Sequence, residues 1–115
     1  MTMSSIGNGL PVGVTESFTG VSRFVGDIEA VLRLAQANNS NNILIVPNAS
    51  ATGVAPVIAE VKGIICMSGG VTSHLALVCR EFGVPCVMRA QLNIEPSILE
   101  GQEIRIDPDG SICLL

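Results

Sequence analysis

The chain has no tryptophan, no tyrosine and a single histidine, and its only aromatics are three phenylalanines. A single-strand nucleic-acid binder stacks bases on aromatic rings, and that platform is missing. Clustered positive charge is missing as well. Six Lys+Arg against ten Asp+Glu leave a net charge of −4, with no basic run. Binding to a phosphate backbone or an anionic membrane draws on grouped Lys and Arg, so the composition argues against both. Long apolar runs are also absent, although the mean hydropathy is +0.55. Ile43–Val46, Ile64–Met67 and Leu75–Cys79 are short, whereas a spanning helix needs about 18 apolar residues. Met1–Gly9 lacks the basic region and apolar core of a secretory signal and reads as a flexible leader.

Cysteine is present, but without the paired spacing of a zinc site or the loop framing of a disulfide scaffold. Cys66, Cys79, Cys86 and Cys113 lie within apolar segments. Reduced, buried thiols and a cytoplasmic location are the expectation. At 115 residues the chain suits one domain with one core. It is too short to hold a nucleotide site, a substrate site and a lid together.

What is present is a run of strand and helix signals. Leu10–Val14 and Phe18–Val25 read as strands or a hairpin broken by Gly13 and Gly20. Asp27 offers an N-cap for a helix whose apolar stripe is Ile28, Val31, Leu32 and Ala35. Asn38–Asn42 is a turn-forming stop. Ile43–Val46 reads as a buried strand, Asn48–Gly53 as a polar loop, and Pro56 opens a short helix over Val57–Val61. Ile64–Met67 is a second buried strand. Thr72 or Ser73 opens a helix to Phe82, stopped by Gly83 before Pro85. Cys86–Met88 is a third short strand. Glu103–Ile106 and Ser111–Leu115 form a hairpin around Pro108-Asp109-Gly110. Asp107 and Asp109 read as turn formers, and Glu95, Glu100 and Glu103 as a solvated acidic face. The alternation of strands and helices predicts a mixed α/β domain.

Chemistry concentrates in Cys66-Met67-Ser68-Gly69-Gly70-Val71-Thr72-Ser73-His74. A buried strand passes through a glycine pair into a helix start, where free N–H groups and the helix dipole favour an anion. Gly69 and Gly70 let backbone approach a phosphate closely. Thr72 and Ser73 add hydroxyls, and the only histidine stands at the same point. Helical periodicity places Leu75, Val78, Cys79 and Phe82 on one stripe and His74 at its edge, sharing an exposed flank with Leu77 and Glu81. An accessible imidazole is a usable nucleophile near neutral pH. Neither a Walker loop nor a Gly-x-Gly-x-x-Gly fingerprint is present. A Cys79–His74 pair is disfavoured by about 140° of rotation between them. A plain turn with a surface histidine is the alternative reading of the spacing.

The run Gly69-Gly70-Val71-Thr72-Ser73-His74, followed by Arg80-Glu81-Phe82-Gly83-Val84-Pro85-Cys86-Val87, resembles the signature of the phosphohistidine swivelling (mobile) domain of PEP-utilising enzymes. That family includes pyruvate phosphate dikinase, PEP synthase and enzyme I. The similarity extends from about residue 10 to 115. It departs at Met67-Ser68, where many members are acidic, at Val71, where some carry Arg, and at Arg89-Ala90, where most have Gly. The resemblance implies an α/β, swivelling β/β/α fold in a single compact domain. It implies that His74 carries the phosphoryl group, with Gly69, Gly70, Thr72 and Ser73 holding or orienting it. It implies partners too: a nucleotide-binding (ATP-grasp-like) domain and a PEP-, pyruvate- or acceptor-binding domain. Mg²⁺ is expected on those partners and no cofactor in this domain. Two other readings stand beside it, a non-catalytic regulatory or assembly module on the same fold and a small anion-binding domain.

Overall fold

A computed structural model describes residues 4–47 and 57–115. Seven strands close into a barrel: β1 (Ser4–Val12), β2 (Phe18–Phe24), β3 (Asn42–Val46), β4 (Gly63–Cys66), β5 (Cys86–Leu92), β6 (Glu103–Ile106) and β7 (Ser111–Leu114), in the spatial order β1-β5-β4-β3-β2-β6-β7. Two α-helices, α1 (Ile28–Leu34) and α2 (His74–Phe82), and 3-10 turns at Ile58–Glu60 and Pro96–Leu99 complete the described chain. Strands β2, β3, β4 and β5 run parallel to one another, while every pairing that involves β1, β6 or β7 is antiparallel. The α/β expectation is therefore met only in part. The chain is one compact domain with a mixed sheet and few helices, but that sheet closes on itself instead of forming an open layer.

Alternation along β3 explains both the barrel and the helical cover. Ile43 and Ile45 point into the barrel, where they pack with Ile65, Val87, Ile104, Ile106 and Ile112. Leu44 and Val46 point outward onto Val31, Ile58, Leu75 and Cys79 of the helical layer. A parallel strand covered on both faces reads as a near-continuous apolar run; all five residues of β3 are buried, Ile43–Val46 are apolar, and Asn42 at its start donates from Nδ2 to Asn39 Oδ1 at 2.9 Å.

Several expectations change in detail. The leader assigned to residues 1–9 is strand from Ser4 onward, because Ser4–Asn8 pairs with β7; residues 1–3 lie outside the described residues. β1 and β2 do not form a hairpin, since β1 joins β5 and β7 while β2 joins β3 and β6. On α1, Asp27 is the N-cap, accepting from Ala30 N at 3.0 Å. Its buried face is Ala30 and Val31 with Leu34 beside them, while Leu32 and Ala35 are exposed. The buried face is thus rotated from the predicted stripe toward Ala30; the side chain of Ile28 lies outside the described residues. The loop expected at Asn48–Gly53 and Pro56 also lie outside them. Val57–Val61 holds only the 3-10 turn Ile58–Glu60. The third strand is longer than Cys86–Met88. It continues to Leu92 through a bulge opposite Gly9, where the register shifts between Asn8 and Leu10.

Candidate functional site

The parallel strands bring the glycine loop to their C-terminal ends, the usual location of a ligand crevice in parallel sheets. β4 ends at Cys66, and Met67 N donates to Val46 O at 3.0 Å, keeping the chain on the sheet for one more residue. Gly69 then turns in the left-handed region at φ 74°, where a Cβ is strained and glycine is not. Ser73 N donates to Gly70 O at 3.0 Å, closing a turn over Gly70–Ser73. Ser73 is the N-cap of α2, its Oγ accepting from Ala76 N at 3.3 Å. His74 is the first residue of the helix and is exposed, as is Thr72.

The five predicted residues are thus together in one continuous turn, with roles divided more finely than spacing alone suggests. The Ser73 hydroxyl oxygen serves the helix cap, and its N–H serves the turn. Among the described residues, the N–H of His74 is the open donor of this helix end, since Leu75 is fully buried. A Cβ built on Gly70 meets nothing within 4 Å. Nothing in the surrounding packing requires a glycine there, and the space above it is open.

Burial on α2 is carried by Leu75, Ala76 and Cys79, with Val78 half-buried. Phe82, placed on that stripe by periodicity, is 56% exposed. Ala76 shifts the centre of the buried face, and Phe82 lies in the last turn, just before the left-handed Gly83 at φ 71° reverses the chain. His74 therefore points about 150° from the centre of the buried face by helical rotation. Leu77, 49% exposed, shares its flank with Glu81, and Val71 of the loop is 45% exposed.

The thiols stand apart from this chemistry. Cys66, Cys79 and Cys86 are buried and free. Burial pushes the Cys66 thiol up, partly offset by hydrogen bonds with Ser68. The Cys86 thiol is raised by its hydrogen bond with Cys79 and by burial. Thiols held protonated, as Cys66 and Cys86 are, make poor nucleophiles; the Cys79 thiol pKa is lowered by its hydrogen bond with Cys86, but the residue is fully buried. Asp107 and Asp109 act in the closing hairpin, as expected of turn formers. Asp109 accepts from Ser111 N at 2.9 Å, which lowers its carboxyl pKa, and Asp107 pairs with Arg105 at 3.0 Å. A cleft of about 580 Å³ is lined by Arg23, Arg33, Asn42 and Glu100, and no residue of the glycine loop or α2 lines it.

One residue at the loop entered the sequence reading only as a departure from the family pattern, at Arg89-Ala90. Arg89, in the β5 bulge, donates from its backbone N to Ser68 O at 3.3 Å and from Nε to Gly69 O at 3.3 Å. A non-glycine residue has no local sequence signal for a bulge, so its place at the loop is visible only in the fold.

Comparison with known proteins agrees with this geometry. The chain is 31% identical over 100 residues to a rifampicin phosphotransferase from Bacillus cereus, covering 85% of this chain and 10% of that protein. It is 41% identical over 54 residues to a probable phosphoenolpyruvate synthase from Methanothermobacter thermautotrophicus, covering 47% of this chain and 8% of that protein. A solved structure titled N-terminal domain of Enzyme 1 - Nitrogen superposes with a TM-score of 0.57 at 26% identity, over 76% of this chain and 36% of that one. The chain spans about a tenth of the length of the curated relatives it matches. A family model described as PEP-utilising enzyme, mobile domain, matches residues 38–110, a stretch that includes β3, β4, the glycine loop, α2 and β5, and the chain belongs to that family.

Proposed function

We propose that this chain is the phosphoryl carrier of a PEP-utilising-type phosphotransferase and that His74 is the residue transiently phosphorylated. One observation carries the reading: the only histidine is exposed at the first position of a capped helix, beside a glycine over which the space is open. In the first half-reaction a ring nitrogen of neutral His74 attacks the donor phosphorus. The donor's P–O bond breaks as a P–N bond forms, and charge spreads over the three equatorial oxygens. The open His74 N–H and the helix dipole favour that charge by about 1 kcal/mol. In the second half-reaction the P–N bond breaks as an acceptor oxygen takes the phosphoryl group, returning neutral His74.

A carrier of this kind moves as a swivelling β/β/α unit between two sites that it does not itself contain. Those sites belong to a nucleotide-binding (ATP-grasp-like) partner and to a PEP-, pyruvate- or acceptor-binding partner, either in the same longer chain or in other subunits. Mg²⁺, where the reaction uses it, belongs in this reading to those partners. The exposed Leu77 and Val71 beside His74 suit a docking contact with them. The test is incubation with candidate partner subunits and either ATP or PEP, read by intact mass. An acid-labile, alkali-stable phosphoryl group is expected on the wild type and not on His74→Ala. Equal labelling of His74→Ala ends the carrier reading; no labelling with either donor favours a binding or assembly module.

A further inference from the structure

Among the described residues six have positive φ, and five of them are glycine; the sixth is Arg89 at φ 50°. An L side chain in the left-handed region is strained, and such strain persists where the surroundings over-determine it and clusters at functional sites. The bulge that creates the strain is built in from both sides. Opposite it, a Cβ on Gly9 would lie 2.6 Å from Val87 Cγ1, 2.7 Å from Met88 O and 2.9 Å from Ala90 Cα. Glycine at position 89 would meet the backbone demand without strain. Arginine there adds a guanidinium, and the structure shows where it goes.

Three successive carbonyls at the start of the loop each accept one hydrogen bond. Ser68 O accepts from Arg89 N at 3.3 Å, Gly69 O from Arg89 Nε at 3.3 Å, and Gly70 O from Ser73 N at 3.0 Å. Arg89 supplies two of the three donors. In a planar trans peptide the N–H points away from the carbonyl that precedes it. Holding the Ser68 and Gly69 carbonyls therefore turns the N–H groups of Gly69 and Gly70 the other way, as in the backbone concavities that bind anions. Arg89 is exposed and belongs to neither of the ion pairs found among the described residues. Its charge is not consumed by a carboxylate there.

We propose that Arg89 is a positioning residue for phosphoryl transfer at His74, latching the Ser68–Gly69 carbonyls so that the loop N–H groups face the phosphoryl group. This rests on the carrier reading of His74. A partner-free reaction separates the two. Phosphoramidate transfers its phosphoryl group to an imidazole: the donor P–N bond breaks, its nitrogen leaves as ammonia, and a new P–N bond forms on the ring. The rate of His74 labelling by phosphoramidate is measured for wild type, Arg89→Gly and Arg89→Lys, alongside Tm.

Arg89→Gly relieves the backbone strain, so its Tm stays at or above wild type while labelling slows about tenfold, the scale of one charge-assisted hydrogen bond. Arg89→Lys keeps the charge and the left-handed backbone, so it restores an intermediate rate. Wild-type labelling in Arg89→Gly overturns the proposal. A fall in Tm that accompanies the rate loss in both variants also overturns it, because the residue then serves only the fold. If phosphoramidate labels the wild type faster than Arg89→Gly but no partner labels it, the carrier reading fails while the latch stands. If phosphoramidate leaves the wild type unlabelled, the latch proposal fails while the carrier reading still rests on the partner-dependent labelling.

Discussion

At the scale of single residues, the site separates positions that the fold needs from positions that it does not. Ser73 caps α2 through its Oγ, so Ser73→Ala costs about 1 kcal/mol of stability, read as a lower urea midpoint. Gly70 meets nothing that a Cβ would disturb. Gly70→Ala should therefore unfold within about 0.5 kcal/mol of wild type while slowing phosphorylation of His74, because the added methyl occupies the space over the loop. A Gly70→Ala protein that labels at the wild-type rate would show that this space is not where the phosphoryl group arrives. That His74, Ser73, Thr72 and the two glycines share one turn was legible in the sequence, because a glycine pair followed by a helix start is a contiguous motif. Arg89 was not legible as part of the site. It lies 15 positions after His74 in the numbering, and only strand pairing returns it to the loop.

At the scale of elements, α2 was legible almost to its ends, since its cap, its stop at Gly83 and its register all have local chemical signals. What periodicity misplaced was Phe82, where the buried face turned toward Ala76. β5 was legible only for its first residues. A bulge interrupts alternation at Arg89-Ala90, so the pattern that identifies a strand stops there although the strand continues to Leu92. The same bulge supplies an element-scale prediction. Gly9→Ala would push a methyl into Val87, Met88 O and Ala90 at 2.6–2.9 Å. The expected loss is about 2 kcal/mol in a guanidinium titration, the usual scale of overpacking. Because the bulge also presents Arg89, this variant slows His74 labelling as well as destabilising the barrel, whereas Gly70→Ala affects labelling alone.

At the scale of the whole molecule, the sequence announced buried apolar strands but not their closure. Closure depends on β1 reaching both β5 and β7, a pairing between distant segments that leaves no local trace. It produces two cores, one inside the barrel and one beneath the helices, and the second contains Cys66, Cys79 and Cys86. Iodoacetamide under native conditions is expected to modify Cys113, which is half-buried, and to spare the other three; mass spectrometry counts the adducts. The pKa of Cys66 is raised by burial on folding, whereas Cys79 and Cys86 shift in opposite directions across their shared hydrogen bond, Cys79 down and Cys86 up. Above about pH 9 the unfolded chain has lost the Cys66 proton while the folded chain retains it. The Cys66 contribution is complete below the ordinary thiol pKa and is lost as pH rises beyond it. A urea midpoint that falls between pH 8 and pH 10, and falls less in Cys66→Ala, is the expected result.

The role of the whole domain turns on one chemical event. The most direct measurement is peptide mapping of the wild-type protein after incubation with a nucleotide- or PEP-binding partner subunit and its donor, kept alkaline throughout to preserve a P–N bond. One phosphoryl group on the peptide that contains His74, discharged on adding the acceptor, is the result predicted here. A stable phosphoryl group on Ser73 or Thr72 with His74 unmodified would contradict it.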